Sequence, residues 1–437
     1  MLQHGFSKLR GMFFGWRVVG GAFVIAVFAW GIGFYGPPVF LQTLHATRGW
    51  PVALISVVMT LHFLVGAVVV ANLAALHRRF GLAATTCAGG WFTAVGLLGW
   101  ALAFEPWQLF ATALLSGSGW AMTSGAALNA MIAPWFVRRR PAALSMAFNG
   151  ASMGGVVFSP LWVALIGVMG FPRAAGIVAA AAILVPWFVA RRYLARSPAE
   201  MGLAPDGEIA GDAVTQKGRP DAAPLGRAWR DSRFVTLAAS ASLGLFAQIG
   251  LVAQLFSLLV PPLGEAGAGI TLSLATACAI GGRTVLGLVM RPDTDRRVVA
   301  GVNFTLQALG SVTLILAGGH SIPLLLLGCL LFGLGLGNVT SLPPLIAQTD
   351  FAPADVPRVV ALVVALSQAS FAFAPAAFGA LRELEQLPGL STSAGSAPLL
   401  FAAAALIQVA AACVVVLGRR PAMQYSAQLQ GAARTGR

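Results

Sequence analysis

Apolar residues along this chain fall into twelve long runs separated by short polar connections. Each run supplies the roughly 20 apolar residues that a helix needs to cross the hydrocarbon core of a bilayer. The pattern predicts membrane-spanning helices over residues 17–41, 51–76, 82–104, 107–133, 141–166, 173–195, 233–260, 268–290, 298–318, 321–347, 358–381 and 398–418. The longest polar stretch, 196–232, separates six of these helices from the other six. We therefore expect a six-helix bundle over residues 1–195, a linker over 196–232, and a second six-helix bundle with a short tail over 233–437.

The composition supports the membrane class. Of the 437 residues, 58% are apolar and only 10% are charged, and the mean hydropathy is +0.82. A soluble protein of this length would need a polar surface that such a composition cannot supply.

Positive charges are distributed very unevenly between the two sides of such a bundle. The N-terminus, the even-numbered connections and the C-terminus hold 24 of the 28 lysines and arginines, whereas the opposite side holds Arg48, Arg173 and Arg382. Positively charged loops stay in the cytoplasm, so both termini and the linker are expected there. The alternation also argues against a nucleic-acid partner, which a net charge of +14 would otherwise suit. The bias toward arginine and alanine is typical of GC-rich bacterial genomes, so we expect a bacterial inner membrane.

The two halves of the sequence repeat each other. The pattern LLxGxG at residues 114–119 recurs at 330–335, and the dipeptide Thr-Ser at 123–124 recurs at 340–341. These segments belong to helices four and ten, which are equivalent helices in a duplicated six-helix unit. Such repeats are typical of secondary transporters, whose substrate site lies at the repeat interface near the bilayer midplane.

Four segments carry a resemblance to a known family. They are PWFVRRR at 134–140, NGASMGG at 149–155, SPAEMGLAPDG at 197–207, and GRxxxG at 282–287. With these motifs the chain resembles the major facilitator superfamily and, within it, the oxalate/formate antiporter and monocarboxylate porter group. The resemblance extends from about residue 16 to 418 and implies two pseudo-symmetric bundles that alternate access to a central organic-anion site.

Two departures from the family pattern limit what it implies. The loop between helices two and three usually reads Gly-x-x-x-Asp-Arg-x-Gly, but here Ala74 and Arg78 replace the first glycine and the acid. Monocarboxylate porters also carry an acid one turn before the equivalent of Arg283 and a lysine in helix one. The matching positions here are Ala279 and, by a looser alignment, Tyr35. The family's gating acid and its embedded proton carrier therefore do not transfer to this chain.

Arg283 is the basic residue that falls deep inside a predicted helix, whereas the other basic residues lie at or near the ends of their spans. It lies eight residues before Arg291, or about 12 Å deeper at a helical rise of ~1.5 Å per residue. The hydrocarbon half-thickness is about 15 Å, and an arginine near the midplane costs about 2.5–3.5 kcal/mol on insertion scales. No Asp or Glu lies inside a predicted span, so we expect the counter-charge to be a substrate carboxylate gripped by two parallel hydrogen bonds. The competing interpretation is a structural arginine bonded to backbone carbonyls.

Other polar residues at similar depth are candidates to complete a substrate pocket. They are Tyr35 in helix one, His62 in helix two, Trp120 in helix four, Asn149 in helix five, Gln254 in helix seven, Asn338 in helix ten and Gln368 in helix eleven. For each alone, hydrogen bonding between helices is the commoner role, and packing explains the aromatic pair equally well. Tyr35, Trp120 and Gln368 rank first because helices one, four and eleven line the cavity in the family that this chain resembles.

The sequence thus predicts an all-α membrane protein with twelve transmembrane helices in two pseudo-symmetric six-helix bundles, the major facilitator fold. The expected function is secondary active transport of a small organic anion, a monocarboxylate, by alternating access with proton symport or anion exchange. We expect a monomer in the lipid bilayer with no cofactor and no metal. One alternative is an exporter of amphipathic drugs or metabolites in which Arg283 is structural. Another is a non-transporting membrane sensor, and an enzyme is disfavoured because the spans contain no catalytic constellation.

Overall fold

A computed structural model describes residues 13–207, 229–291, 294–352, 355–387 and 395–419. Within these ranges every regular element is helical. The first half of the chain forms α1 (Phe14–Gly33), α2 (Gly36–Arg48), α3 (Val52–Phe80), α4 (Leu82–Leu102), α5 (Pro106–Thr123), α6 (Gly125–Ile132), α7 (Arg140–Met169) and α8 (Phe171–Val189). The second half forms α9 (Ser232–Val289), α10 (Arg296–Ala317), α11 (Ile322–Leu336), α12 (Asn338–Asp350), α13 (Val356–Phe371), α14 (Ala374–Leu384) and α15 (Pro398–Leu417).

Helix α9 is one long hairpin rather than a single rod. At Gly264 the backbone adopts φ 70° and ψ 169°, just after Pro261 and Pro262. A positive φ is available to glycine without a steric cost, and the two prolines weaken the helix before it. The chain therefore turns back without a loop, and residues 232–263 and 265–289 form two arms that correspond to the predicted helices seven and eight.

The twelve predicted spans each have a helical counterpart. Ten helices in the described ranges are long and apolar enough to cross a membrane. The turn at Gly264 divides one of these ten, α9, into two crossings, and the pair α5–α6 supplies a further crossing. The prediction of twelve helices in an all-α membrane protein is therefore confirmed in its architecture.

Four of the spans are interrupted, which the hydropathy pattern did not predict. The breaks lie between α1 and α2 at Phe34–Tyr35, between α5 and α6 at Ser124, between α11 and α12 at Gly337, and between α13 and α14 at Ala372–Phe373. Each run stays apolar through its break, so hydropathy alone counts one continuous helix. Only the break at Ser124 has an extended backbone, with φ −92° and ψ −158°; the other three keep helical dihedrals.

The helices pack mainly within each half of the chain. In the first half α1 packs on α7, α5 on α3 and α4, and α8 on α4. In the second half α9 packs on α11, α13 and α15, and α10 packs on α11 and α15. Gly117 and Gly333, equivalent positions of the sequence repeat, make the same kind of contact. An added Cβ would lie 2.2 Å from the His62 carbonyl oxygen and 2.4 Å from the Ala275 carbonyl oxygen, respectively.

Four helix contacts join the halves along what we call the seam. The two most extensive are α7 against the second arm of α9 and α3 against α14, and smaller contacts join α2 to α9 and α13 to α3. We call the side of the molecule that carries Phe13 and Arg419 the terminal face, and the opposite side, which carries Gly264, the distal face. Most hydrogen bonds described across the seam lie toward the distal face, so this side of the molecule is closed.

A strap formed by residues 197–207 covers part of the terminal face. Its Asp206 carboxylate accepts hydrogen bonds from the backbone N–H groups of Val137, Arg138 and Arg139 at 3.0, 2.8 and 3.2 Å, and its own N–H donates to the Trp135 carbonyl at 2.9 Å. Burial works to raise the pKa of Asp206, but these N–H groups outweigh it and lower the pKa below its ordinary value. The beginning of the predicted linker is thus docked on the first half. Residues 208–228 of the linker and the predicted tail 420–437 lie outside the described residues.

Candidate functional site

Three of the helix breaks lie at the centre of the molecule. Tyr35 at the first break, Gly337 at the third and Ala372 at the fourth all adjoin the contact between the two halves. Interrupted membrane helices expose carbonyl and N–H groups that continuous helices use internally, and transporters build substrate and ion sites from them. The centre of the seam is therefore the candidate site.

Arg283 lies at this centre, on the second arm of α9, and is half-buried. Its Nε and Nη2 donate to the Gly337 carbonyl at 3.3 and 3.2 Å, and its Nη1 donates to Asn149 Oδ1 on α7 at 3.0 Å. The Gly337 carbonyl lies at the break between α11 and α12, where it also accepts from the hydroxyls of Thr340 and Ser341 at 3.3 and 3.1 Å. Arg283 thus bonds to both halves of the chain through neutral oxygens.

The charge of Arg283 has no acidic partner among the described residues. The ion pairs in this part of the chain are Arg233 with Asp231, Arg297 with Asp350, and Arg419 with Asp295. All three lie toward the terminal face. A guanidinium has five N–H donors, and the bonds to Asn149 and Gly337 engage three of them. The two donors beyond these bonds are the number that a carboxylate takes in a bidentate pair.

Tyr35 lies beside Arg283 at the first helix break. Its side chain is only 7% exposed and lies beside Thr276 of α9 and near Arg283. The ring packs against Gly155 of α7, where an added Cβ would lie 2.7 Å from it. Thr276, which the sequence analysis did not select, therefore joins the site from the second half.

Asn338 connects the break at Gly337 to α10. It directly follows Gly337, is 5% exposed, and donates from Nδ2 to Asn303 Oδ1 on α10 at 3.1 Å. Asn303 donates in turn to the Gly335 carbonyl at 3.3 Å. Asn303 is a second residue that the sequence analysis missed, although an amide inside an apolar run was the available signal.

Trp120 belongs to an aromatic cluster that joins the two halves. Its ring lies 5.4 Å from Phe63 and 6.0 Å from His62, and Phe63 lies 5.8 Å from Phe371 of the second half. Trp120 is 6% exposed, and its Nε1 has no hydrogen-bond partner among the described residues. Phe34, the neighbour of Tyr35, packs at 6.2 Å from Phe63 and connects this cluster to the Arg283 region.

His62 is part of a packing network within the first half. Its Nδ1 lies 2.8 Å from Ser116 Oγ, which also accepts from Trp100 Nε1 at 3.3 Å. Its Nε2 lies toward the Gly33 carbonyl without reaching hydrogen-bonding geometry. The His62 side chain is 1% exposed, so it lies under the aromatic cluster and not in the Arg283 shell.

The hydrogen bonds described for Arg283 include neither Gln254 nor Gln368. Gln254 Nε2 donates across the seam to Ser56 Oγ at 2.9 Å, and its Oε1 accepts from Arg382 at 3.4 Å. Both contacts lie toward the distal face. Gln368 is half-buried on α13, and its carbonyl accepts from the N–H of Ala372 at 3.2 Å. The structure therefore groups Arg283 with Asn149, Tyr35 and Asn338, and places the other candidates in neighbouring layers.

The described residues contain no group of three His, Cys, Asp or Glu side chains that could hold a metal ion. The arrangement instead offers a fixed cation, amide groups and backbone carbonyls between two halves that meet along a seam. Such an arrangement is typical of substrate sites in membrane transporters.

Comparison with known proteins gives the family. The family model described as Major Facilitator Superfamily matches residues 18–375. This chain belongs to the Major Facilitator Superfamily, and the family and its structural neighbours indicate a transporter rather than an enzyme.

One curated relative matches a short segment of this chain. Monocarboxylate transporter 13 from Bos taurus is 37% identical over 89 residues, which is 20% of this chain and 21% of that protein. The chain thus matches about a fifth of the length of this curated relative.

Solved structures match nearly the whole fold. The nucleoside transporter NupG gives a TM-score of 0.66 at 11% identity, covering 92% of this chain and 100% of that one. A bacterial homolog of the human lysosomal transporter Spinster, in an inward-facing and unoccupied conformation, gives 0.66 at 15% identity, covering 93% and 95%. At these identities the similarity shows the fold alone.

Proposed function

We propose that this protein is a secondary transporter of a small monocarboxylate, which binds at Arg283 and crosses the membrane by alternating access. The observation that carries the proposal is the environment of Arg283. Its guanidinium lies at the centre of the seam, bonds to neutral oxygens of both halves, and has no acidic partner among the described residues. Neutral oxygens orient this cation but do not neutralise it, so an anion that enters the site supplies the missing charge.

The relative that matches a fifth of this chain supports the same substrate class. That protein is named a monocarboxylate transporter, and the shared segment of 89 residues is 37% identical. The neighbours by fold include a nucleoside transporter, so the fold does not select the substrate. The site chemistry therefore carries the choice of a carboxylate.

Orientation follows from the arginines. We propose that the terminal face is cytoplasmic in a bacterial inner membrane, because 24 of 28 basic residues belong to the termini and connections on that side. Reporter fusions after residues 207 and 419 test this, and a periplasmic signal from either position contradicts it.

Uptake of radiolabelled carboxylates into proteoliposomes tests the substrate. Arg283→Ala should abolish uptake while the protein still inserts and folds. Arg283→Lys should restore little, because an ammonium lacks the planar fork. Arg419→Ala is a matched control, since Arg419 pairs with Asp295 at the terminal face and both side chains are exposed by more than 40%.

The competing function is export of amphipathic compounds with a structural Arg283. Two observations favour it, namely the bonds from Arg283 to the Gly337 carbonyl and the aromatic cluster around Trp120. Normal carboxylate uptake by Arg283→Ala, or no uptake of any carboxylate by the wild type alongside transport of amphipathic cations, supports this function instead.

Coupling follows from electrostatics. A monoanion that moves inward alone works against an inside-negative potential at about 2.3 kcal/mol per 100 mV. Ala279 stands where related porters carry an embedded acid, and His62 is held by Ser116. We therefore propose anion exchange, or a proton carried by the substrate, without a dedicated carboxylate relay. The test is uptake under a pH gradient with and without substrate inside the vesicle.

A further inference from the structure

Three charged side chains at the distal end of α14, or just after it, bond to three different helices. Arg382 donates to Gln254 and Ser257 on the first arm of α9. Glu383 Oε1 accepts from the Ala53 N–H of α3 at 3.0 Å. Two residues later, Glu385 Oε1 accepts from the Leu399 N–H at the start of α15 at 2.5 Å. Residues 382–385 therefore connect α14 to three other helices at the distal face.

Only one of these three contacts crosses the seam. Arg382 and Glu385 bond to α9 and α15, which belong to their own half of the chain. Glu383 bonds to α3, which belongs to the other half, so this carboxylate caps the beginning of a helix from across the seam. The N–H of Ala53 is one of the four at the start of α3 that no helical carbonyl can accept.

The cap depends on the charge of Glu383. A carboxylate at a helix N-terminus interacts favourably with the helix dipole, and an ionised acceptor forms a stronger hydrogen bond than a neutral one. Protonation of Glu383 removes both advantages. Because α3 and α14 must separate when the distal side opens, the loss weakens the closed state and leaves the open state unchanged.

We propose that Glu383 is a proton-binding site through which acid on the distal side favours opening of that side. Glu383 is half-buried at the distal end of its helix, where protons from the distal aqueous phase can reach it. The role concerns the conformational equilibrium of the carrier, so it stands apart from the carboxylate chemistry proposed for Arg283.

Other charged groups around the contact do not bridge the seam. Glu385 holds α15, and burial raises its pKa, so Glu385 also takes up a proton in acid. Arg382 keeps its charge and bonds within its own half. On the α3 side His45 Nδ1 lies 2.8 Å from the Trp50 carbonyl oxygen in the same half. Glu105 is a further distal carboxylate, but it caps α5 from the residue that directly precedes this helix.

The experiment measures the distance across the distal face in purified, substrate-free protein. Spin labels at Leu102 of α4 and Ile322 of α11 report on opposite halves, since both side chains are exposed. The four native cysteines are replaced beforehand. In wild type, lowering the pH from neutral until Glu383 is protonated should raise the ratio of long to short distances about two- to fivefold, the change expected when one charge at a helix N-terminus is removed.

Variants then assign the effect. Glu383→Gln should show the raised ratio already at neutral pH and lose the response to acid. Glu105→Gln and Glu385→Gln should respond as wild type does. A wild type without an acid response, or an acid response that persists in Glu383→Gln, overturns the proposal. The readout requires no substrate, so failure of the carboxylate proposal leaves this result interpretable, and the reverse also holds.

Discussion

Replacement of Gly379 by alanine should shift the carrier toward a distal-open state. Gly379 of α14 faces Ser56 of α3 at the distal seam, and an added Cβ would lie 2.5 Å from both Cβ and Oγ of Ser56. Carbon atoms in contact are normally about 3.5–4.0 Å apart. The two helices must therefore move apart by about 1 Å to accept a single methyl group.

The cost of this movement falls on the closed state alone. Overpacking of a well-packed contact costs about 1–3 kcal/mol. Because α3 and α14 separate when the distal side opens, the open state does not bear this cost. A difference of that size changes the ratio of open to closed molecules by about 5- to 150-fold.

The labels at Leu102 and Ile322 measure this ratio at neutral pH. Gly176→Ala is the matched control, because Gly176 also lies within a helix but an added Cβ there has no atom within 4 Å. A distance distribution in Gly379→Ala that equals the wild-type one, in protein that folds and inserts, refutes the view that the contact of α14 with Ser56 closes the distal side.

Three further predictions concern the terminal face and the first half. Asp206→Asn should reduce thermal stability near neutral pH. The pKa of Asp206 is lowered in the folded protein, so its contribution to stability is present above the ordinary aspartate range and is lost as the pH falls through the folded pKa. The melting temperatures of wild type and variant should therefore converge in acid. Arg297→Ala should destabilise by about 3–5 kcal/mol, because Arg297 is buried and its loss strands the Asp350 partner, whereas Arg419→Ala should cost less than about 1 kcal/mol; chemical denaturation in detergent compares them. His62→Gln should keep the wild-type response of transport to an imposed pH gradient, and loss of that response would make His62 the proton carrier.

The architecture could be predicted because hydropathy and charge act locally along the chain. A run of about 20 apolar residues must span the bilayer or be buried, so the twelve spans follow from the sequence. The breaks could not be predicted in the same way. Gly337 interrupts a single predicted span, and only the structure shows that its carbonyl accepts from Arg283 as well as from Thr340 and Ser341.

The site was predictable residue by residue but not as an arrangement. The cost of a charge in hydrocarbon singles out Arg283 from sequence alone. Its contact with Asn149 depends on how α7 meets α9, which no local pattern encodes. Gln254 shows the limit most clearly, since an amide inside an apolar run signals a polar contact but does not say that the partner is Ser56 at the distal seam. Glu383 had the ordinary features of a loop acid until the fold placed it against α3.

The absence of a loop at Gly264 has a consequence for how molecules reach the centre from the distal side. The two arms of α9 are continuous through this turn, so their distal ends cannot part from each other. One arm carries Gln254 and the other carries Arg283. An aperture between the halves on this side must therefore form between the whole hairpin and the helices of the first half that contact it, α2, α3 and α7. The Gln254 arm and the Arg283 arm move together at this end, so neither can open the distal side without the other.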